Sequence, residues 1–315
     1  MFDVKAFVNV QIGKIKDQVK GKAIIACSGG VDSVVCAVLA SKAVGDDLLA
    51  VYVNTGFMRK GETEEVRCML NDMNVNFKVL DAEDEFFDAV KGMNDPEMKR
   101  KAVGERFIRC FEKEARTFGA KYLVQGTIAP DVIESGKDGK GVVKSHHNVG
   151  GLPKEMGLEL VEPVIDLYKE EVRQVARHLG VKMSERQPFP GPGLSVRCLG
   201  EVTRDGIGIV REACFIVEDE IQKAAKAGKM ELPWQYFAAL LPVRSVGTHN
   251  GKRVYGRTVV VRAVLSKDAM TAKCAEIPFA VLRSISSRIT DKMGDMVNRV
   301  VYDVTDKPPA TIEWE

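Results

Sequence analysis

Ser28, Gly29, Gly30, Val31, Asp32 and Ser33 form one uninterrupted run, SGGVDS. It follows the short apolar stretch KAIIAC (22–27) and precedes VVCAVLASKAV (34–44), which has the length of a helix. A strand, a glycine turn and a helix start make an anion site. Glycine lets the backbone turn sharply and brings its N–H groups close to a ligand. The unpaired amides of a first helical turn and the helix dipole favour negative charge. Ser28 and Ser33 add hydroxyl donors, so the run is expected to cradle phosphate. It lacks the lysine of the Walker loop, GxxxxGK[ST]. Asp32 suits a phosphate site only if it orients the loop amides or helps hold a magnesium ion. The plain alternative is a strand-turn-helix with capping Ser and Asp.

The surrounding elements must position that run. LLAVYVN (48–54), VNFKVLDA (75–82) and AKYLVQGT (120–127) read as further strands. Helices are expected at 62–73, 96–119 and 168–180, and the N-terminal stretch reads as an amphipathic helix. Strands alternating with helices predict an α/β fold, a parallel twisted sheet with helices on both faces. SGGVDS, NTGF and QGT all fall at strand ends, where such sheets bind ligands. Residues 136–157 are rich in glycine and proline without periodicity and read as a loop. RQPFPGPGL (186–194) signals a boundary, giving domains 1–187 and 188–315. Beyond it, a helix at about 207–227 and β-branched runs at 257–264 and 299–304 suggest a smaller α+β domain with antiparallel strands.

Composition bounds the function. The chain has 315 residues, 45% apolar and 29% charged, with a net charge of +2. That is ordinary for a globular protein of about two domains. A balance so near zero lacks the basic footprint of a nucleic-acid binder. No apolar stretch approaches the ~20 residues of a membrane span, and no signal-peptide core opens the chain. The seven cysteines are scattered with no CxxC pair, so they read as thiols of a reducing cytosol.

SGGVDS resembles the pyrophosphate loop of the ATP pyrophosphatase (adenine nucleotide alpha-hydrolase) superfamily. VNTGFMRKGE (53–62), QGTIAPDVIES (125–135), KSHHNVGGLP (144–153), EPVIDLYKEEVR (162–173), RQPFPGPGL and RVVYDVTDKPPATIEWE (299–315) narrow the likeness to the GMP synthetase family. The resemblance runs from about residue 20 to the end, and is to the ATP pyrophosphatase subunit.

The resemblance implies a reaction. The C2 oxygen of XMP attacks the α-phosphate of ATP, and ammonia then displaces AMP to give GMP. It assigns ATP to Ser28, Gly29, Gly30, Val31, Asp32, Ser33, Val34, Val53, Gly126 and Thr127, with Mg2+ near Asp32 and Asp131. It makes the 131–148 segment a lid, with Asp131, Glu134, Lys144, His146, His147 and Asn148 acting on the nucleotide, and with Asp166 and Lys169 meeting it. It assigns XMP to Arg100, Lys307, Thr311, Ile312 and Glu313, and a homodimer to the C-terminal domain. The two histidines alone would otherwise read as a solvated pair, because no third ligand marks a zinc site.

The glutaminase domain that many relatives carry has no room in the 27 residues before the loop, and no histidine lies in an HxE triplet. Ammonia is therefore expected free in solution or from a separate glutaminase subunit, in the cytoplasm, with no nucleic acid or membrane partner. Thr248 and Asp306 depart mildly from the family pattern. An NAD synthetase should lack KPPATIEWE. A tRNA thiolase should show catalytic cysteines. A nucleotide sensor would not need the lid.

Overall fold

The computed structural model describes residues 2–134, 157–181, 186–267 and 269–315. The chain divides into two compact units. The first comprises residues 1–55, 61–83 and 104–186, the second 56–60, 84–103 and 187–315.

The first unit is a five-stranded sheet. Helix α1 (Val4–Gln18) leads into β1 (Ala23–Ala26), α2 (Val31–Val44), β2 (Leu48–Asn54), α3 (Glu62–Asp72) and β3 (Phe77–Asp81). Helices α4 (Glu83–Val90) and α5 (Pro96–Phe118), each with residues in both units, lead to β4 (Tyr122–Val124), α6 (Ala129–Glu134), β5 (Glu159–Val161) and α7 (Lys169–Leu179). The strand order is β3-β2-β1-β4-β5, and every pairing is parallel. Order reverses between β1 and β4, the switch point at which such sheets bind ligands.

Burial explains the strand sequences. Leu48 to Val53 are all buried, as a parallel strand covered on both faces must be. Helices α1, α2 and α7 pack on one another, and α3 packs on β2 and β3. On α1 the buried residues Val8, Gln11 and Ile15 follow helical spacing, and the Asp3 carboxylate caps the Ala6 amide at 3.0 Å. Gly180, at φ +79°, ends α7 in the left-handed conformation that glycine reaches without strain.

In the second unit, α8 (Arg204–Lys226) packs on β6 (Gln235–His249), and α9 (Phe279–Met293) packs on α8 and on β9 (Val297–Asp303). Strand β7 (Lys252–Leu265) pairs antiparallel with β6 and with the short β8 (Lys273–Cys274). The register slips between Leu241 and Arg244, at Pro242, which has no N–H to give the ladder. Strand β9 corrects the sequence expectation: it pairs with β7 in parallel, not antiparallel. Between β7 and β9 the chain crosses over through α9, and such a crossover returns a strand in its original direction.

Candidate functional site

The phosphate cradle begins where β1 ends. Helix α2 starts at Val31, three residues earlier than its apolar run suggests, so Asp32, Ser33 and Val34 lie in its first turn. Gly30 is the N-cap without any side-chain cap, which leaves the early amides free to face a ligand. Gly29 has φ +78°. The Ser28 hydroxyl accepts from the Gly30 amide at 3.4 Å, and the Ser33 hydroxyl donates to the Gly30 carbonyl at 3.0 Å. The two hydroxyl oxygens lie 3.4 Å apart.

The loop after β4 comes directly against this turn. A Cβ on Gly126 would lie 3.0 Å from the carbonyl carbon of Asp32 and 3.1 Å from the Ser33 nitrogen. A side chain there would crowd the backbone of the helix start. Lys169, at the start of α7, reaches Asp32 with Nζ 2.6 Å from Oδ2. The amide of Ala129 bonds the Leu167 carbonyl at 2.9 Å, which ties the start of α6 to the segment entering α7. Asp131 Oδ2 accepts from the Ile128 amide at 3.1 Å. Asp166 is exposed in the turn just before α7, and Val53 is buried at the end of β2.

Among the described residues, three buried oxygens here find no hydrogen-bond partner: Asp32 Oδ1, Gln125 Oε1 and Thr127 Oγ1. A buried polar atom without a partner is costly, and such atoms gather where a ligand completes them. Asp32 Oδ1 suits a magnesium ion, which takes one or two carboxylates and leaves its other positions to water and phosphate. Among the described residues no group of three His, Cys, Asp or Glu is arranged to hold a metal, so the nucleotide would supply most ligands. Glu134 closes α6. Lys144, His146, His147 and Asn148 lie outside the described residues.

The thiols nearby are not nucleophiles. Burial pushes the Cys27 thiol up to about 12. Burial, with the Asp32 charge adding to it, also holds Cys36 well above its ordinary value. A sulfur-transfer enzyme needs an accessible thiolate.

The second cluster lies in the other unit. Arg100 donates to the main-chain oxygen of Glu315 and pairs with Glu97 at 3.5 Å. Thr311 Oγ1 donates to the Glu313 carbonyl at 2.5 Å, and Ile312 is buried. Glu313 is held by Arg197, with Nε–Oε2 at 3.0 Å and Nη2–Oε1 at 2.7 Å, and by Gln235 Nε2 at 2.8 Å. Burial alone would lower the Arg197 pKa. The Glu313 charge and hydrogen bonds outweigh it and keep the guanidinium charged. Lys307 donates to the Ala269 carbonyl at 2.8 Å, apart from these contacts. Sequence reasoning missed Gln125, Arg197 and Gln235. Gln125 was legible as the residue beside Gly126. Arg197 meets its partner 116 positions away, and nothing local marks it.

A family model described as GMP synthase C terminal domain matches residues 220–314, and one described as NAD synthase matches residues 3–127. The chain is 52% identical to a subunit of the glutamine-hydrolyzing GMP synthase of Methanopyrus kandleri over 319 residues, covering 100% of both chains. It is 53% identical to the subunit of the same name from Pyrococcus furiosus, covering 98% of this chain and 97% of that one. Among solved structures it is similar to NMN synthetase from Francisella tularensis, with TM-score 0.48, 14% identity, and 68% and 84% of the two chains covered. With such identity sustained end to end, the chain belongs to this family of GMP synthase subunits.

Proposed function

We propose that the chain makes GMP in two steps, adenylation of XMP by ATP and amination of the adenylate by ammonia. It is an ATP-dependent C–N ligase of purine biosynthesis. The observation that carries the reading is the cradle of SGGVDS, a helix start without a side-chain cap, with three oxygens beside it that find no partner among the described residues.

In the first step the XMP C2 oxygen forms a bond to the α-phosphorus, and the bond to the bridging oxygen breaks, releasing pyrophosphate. In the second, the ammonia nitrogen bonds to C2, the C2–O bond breaks, AMP leaves, and the nitrogen gives up a proton to solvent or base. The amides of residues 31–33 and the Ser28 and Ser33 hydroxyls stabilise charge on the departing pyrophosphate, a preorganised electrostatic contribution. Lys169 holds Asp32 in place and adds positive charge beside the phosphates. Asp32 and Asp131 would hold Mg2+, which would supply further charge neutralisation. Arg100, Lys307, Thr311, Ile312 and Glu313 bind XMP; Glu134 assists the nucleophile, Lys144 meets developing phosphate charge, His146, His147 and Asn148 steady the intermediate, and the 131–148 segment, met by Asp166, excludes water.

A separate glutaminase subunit delivers ammonia, the enzyme is a homodimer through residues 188–315, and it works in the cytoplasm. The relatives are named as one subunit of a glutamine-hydrolyzing synthase, which supports the separate partner. Among the described residues no helix is long and apolar enough to cross a membrane.

The test is a stopped assay of the pure chain with ATP, Mg2+, XMP and an ammonium salt, separated by chromatography. GMP, AMP and pyrophosphate should appear in equal amounts, and glutamine should replace ammonium only when a glutaminase is added. Untouched ATP, or AMP without GMP, would refute the assignment.

A further inference from the structure

The second unit buries three cations completely, and all three face the C-terminal segment. Arg262 pairs with Asp303 at 3.2 Å and donates to the carbonyls of Thr305 and, at 3.0 Å, Thr311. Arg197 grips Glu313. Lys99, from the first turn of α5, donates to the Cys198 carbonyl at 3.0 Å and to a carboxylate oxygen of Glu315. The other oxygen of that carboxylate accepts from the Gly200 amide at 3.1 Å. Arg100, the next residue on α5, holds the main-chain oxygen of the same Glu315.

We propose that Lys99 is a positioning residue for XMP: through Glu315 it anchors the C-terminal segment, so that Arg100, Thr311 and Glu313 are presented together. The proposal rests on the reading of those three as XMP-binding. Lysine is almost never fully buried unless paired, and it normally extends its ammonium to water. At 0% exposure Lys99 commits its charge to Glu315, which is itself 7% exposed in its side chain. Beyond Lys307, which bridges to Ala272, no strand among the described residues secures this segment. Its anchors are the Thr311 carbonyl and the Glu313 and Glu315 carboxylates, and Ile312 between them is buried. Without the last anchor, residues 313–315 hang from the contacts of Glu313 with Arg197 and Gln235. Arg100 would also lose its bond to the Glu315 main-chain oxygen and keep Glu97 at 3.5 Å.

Glu315→Gln and the double variant Lys99→Met/Glu315→Gln test this, read by XMP titration calorimetry, KM for XMP and for ATP, and melting temperature. Glu315→Gln should raise KM for XMP on the order of tenfold to a hundredfold, the scale of a small misplacement of binding groups. KM for ATP and kcat at saturating XMP should stay within about twofold. The double variant removes both charges and should recover the melting temperature, since a neutral pair leaves no buried charge alone. Its XMP affinity should remain low. If Glu315→Gln fails to fold, the double variant decides by itself. Equal losses for XMP and ATP, or recovery of XMP affinity along with the melting temperature, would reduce the pair to a structural one and overturn the proposal. A parent chain that binds no XMP overturns the functional reading, and this inference with it. A parent that binds XMP, beside variants of equal affinity, overturns the inference alone.

Discussion

Lys169 and Asp32, 137 positions apart, meet with Nζ 2.6 Å from Oδ2, so the first turn of α7 is joined to the first turn of α2 at the phosphate cradle. The Asp32 side chain is one-quarter exposed and that of Lys169 nearly half. Such a pair contributes under ~1 kcal/mol to stability. Its consequence lies in the chemistry. Lys169→Met should leave the melting temperature nearly unchanged and lower kcat/KM by on the order of a hundredfold, as loss of one charge-stabilising donor does. A variant with wild-type kcat/KM would remove Lys169 from the site.

Gly126→Ala tests the close approach of the β4 loop to α2. The added Cβ would meet backbone atoms of Asp32 and Ser33 at 3.0–3.2 Å, and backbone cannot swing aside. Overpacking of this kind costs about 1–3 kcal/mol. Calorimetry should show ATP affinity falling together with the melting temperature. Unchanged ATP binding would mean that the loop does not press on the start of α2.

Thiol labelling tests the exclusion of sulfur chemistry. A thiol pushed up to about 12 stays neutral through the physiological range, so Cys27 should resist labelling at pH 8, and Cys36 likewise. Cys68 is exposed and should react first. All seven cysteines should react in denaturant. Mass spectrometry locates the label, and rapid modification of native Cys27 would contradict the burial.

Arg288 joins α9 to α8, with Nη1 2.5 Å from both Asp219 Oδ2 and Glu220 Oε1. The Lys223 hydrogen bond, then that of Arg288, holds the Asp219 carboxyl below its ordinary value. For Glu220 burial acts in the opposite sense, and hydrogen bonds from Ser284 and Arg288 outweigh it. A depressed carboxylate adds stability above its unfolded value, about 4, and loses it as pH falls through the folded value. Arg288→Ala should therefore lower stability at pH 7 by under ~1 kcal/mol, since the groups are part-exposed, and by less at pH 3. Urea unfolding at both pH values measures this. An equal loss at both would rule out the ion pair as its source.

The sequence alone determined what short-range patterns carry. Apolar runs broken by glycine marked β1, β2 and β4, and the SGGVDS turn marked the cradle, because strand burial and helix starts depend on neighbouring residues. The terminal KPPATIEWE marked the family but not what holds it. Tertiary structure decided the rest. It made β9 parallel to β7, since direction follows from the α9 crossover and not from β-branched residues. It set Gly126 against Asp32, and it turned Lys99, Arg197 and Arg262 inward onto the tail. A lysine in PEMKRK looks like any solvated helix lysine. Only the fold, by removing water from Lys99 and supplying Glu315, makes its charge a structural commitment.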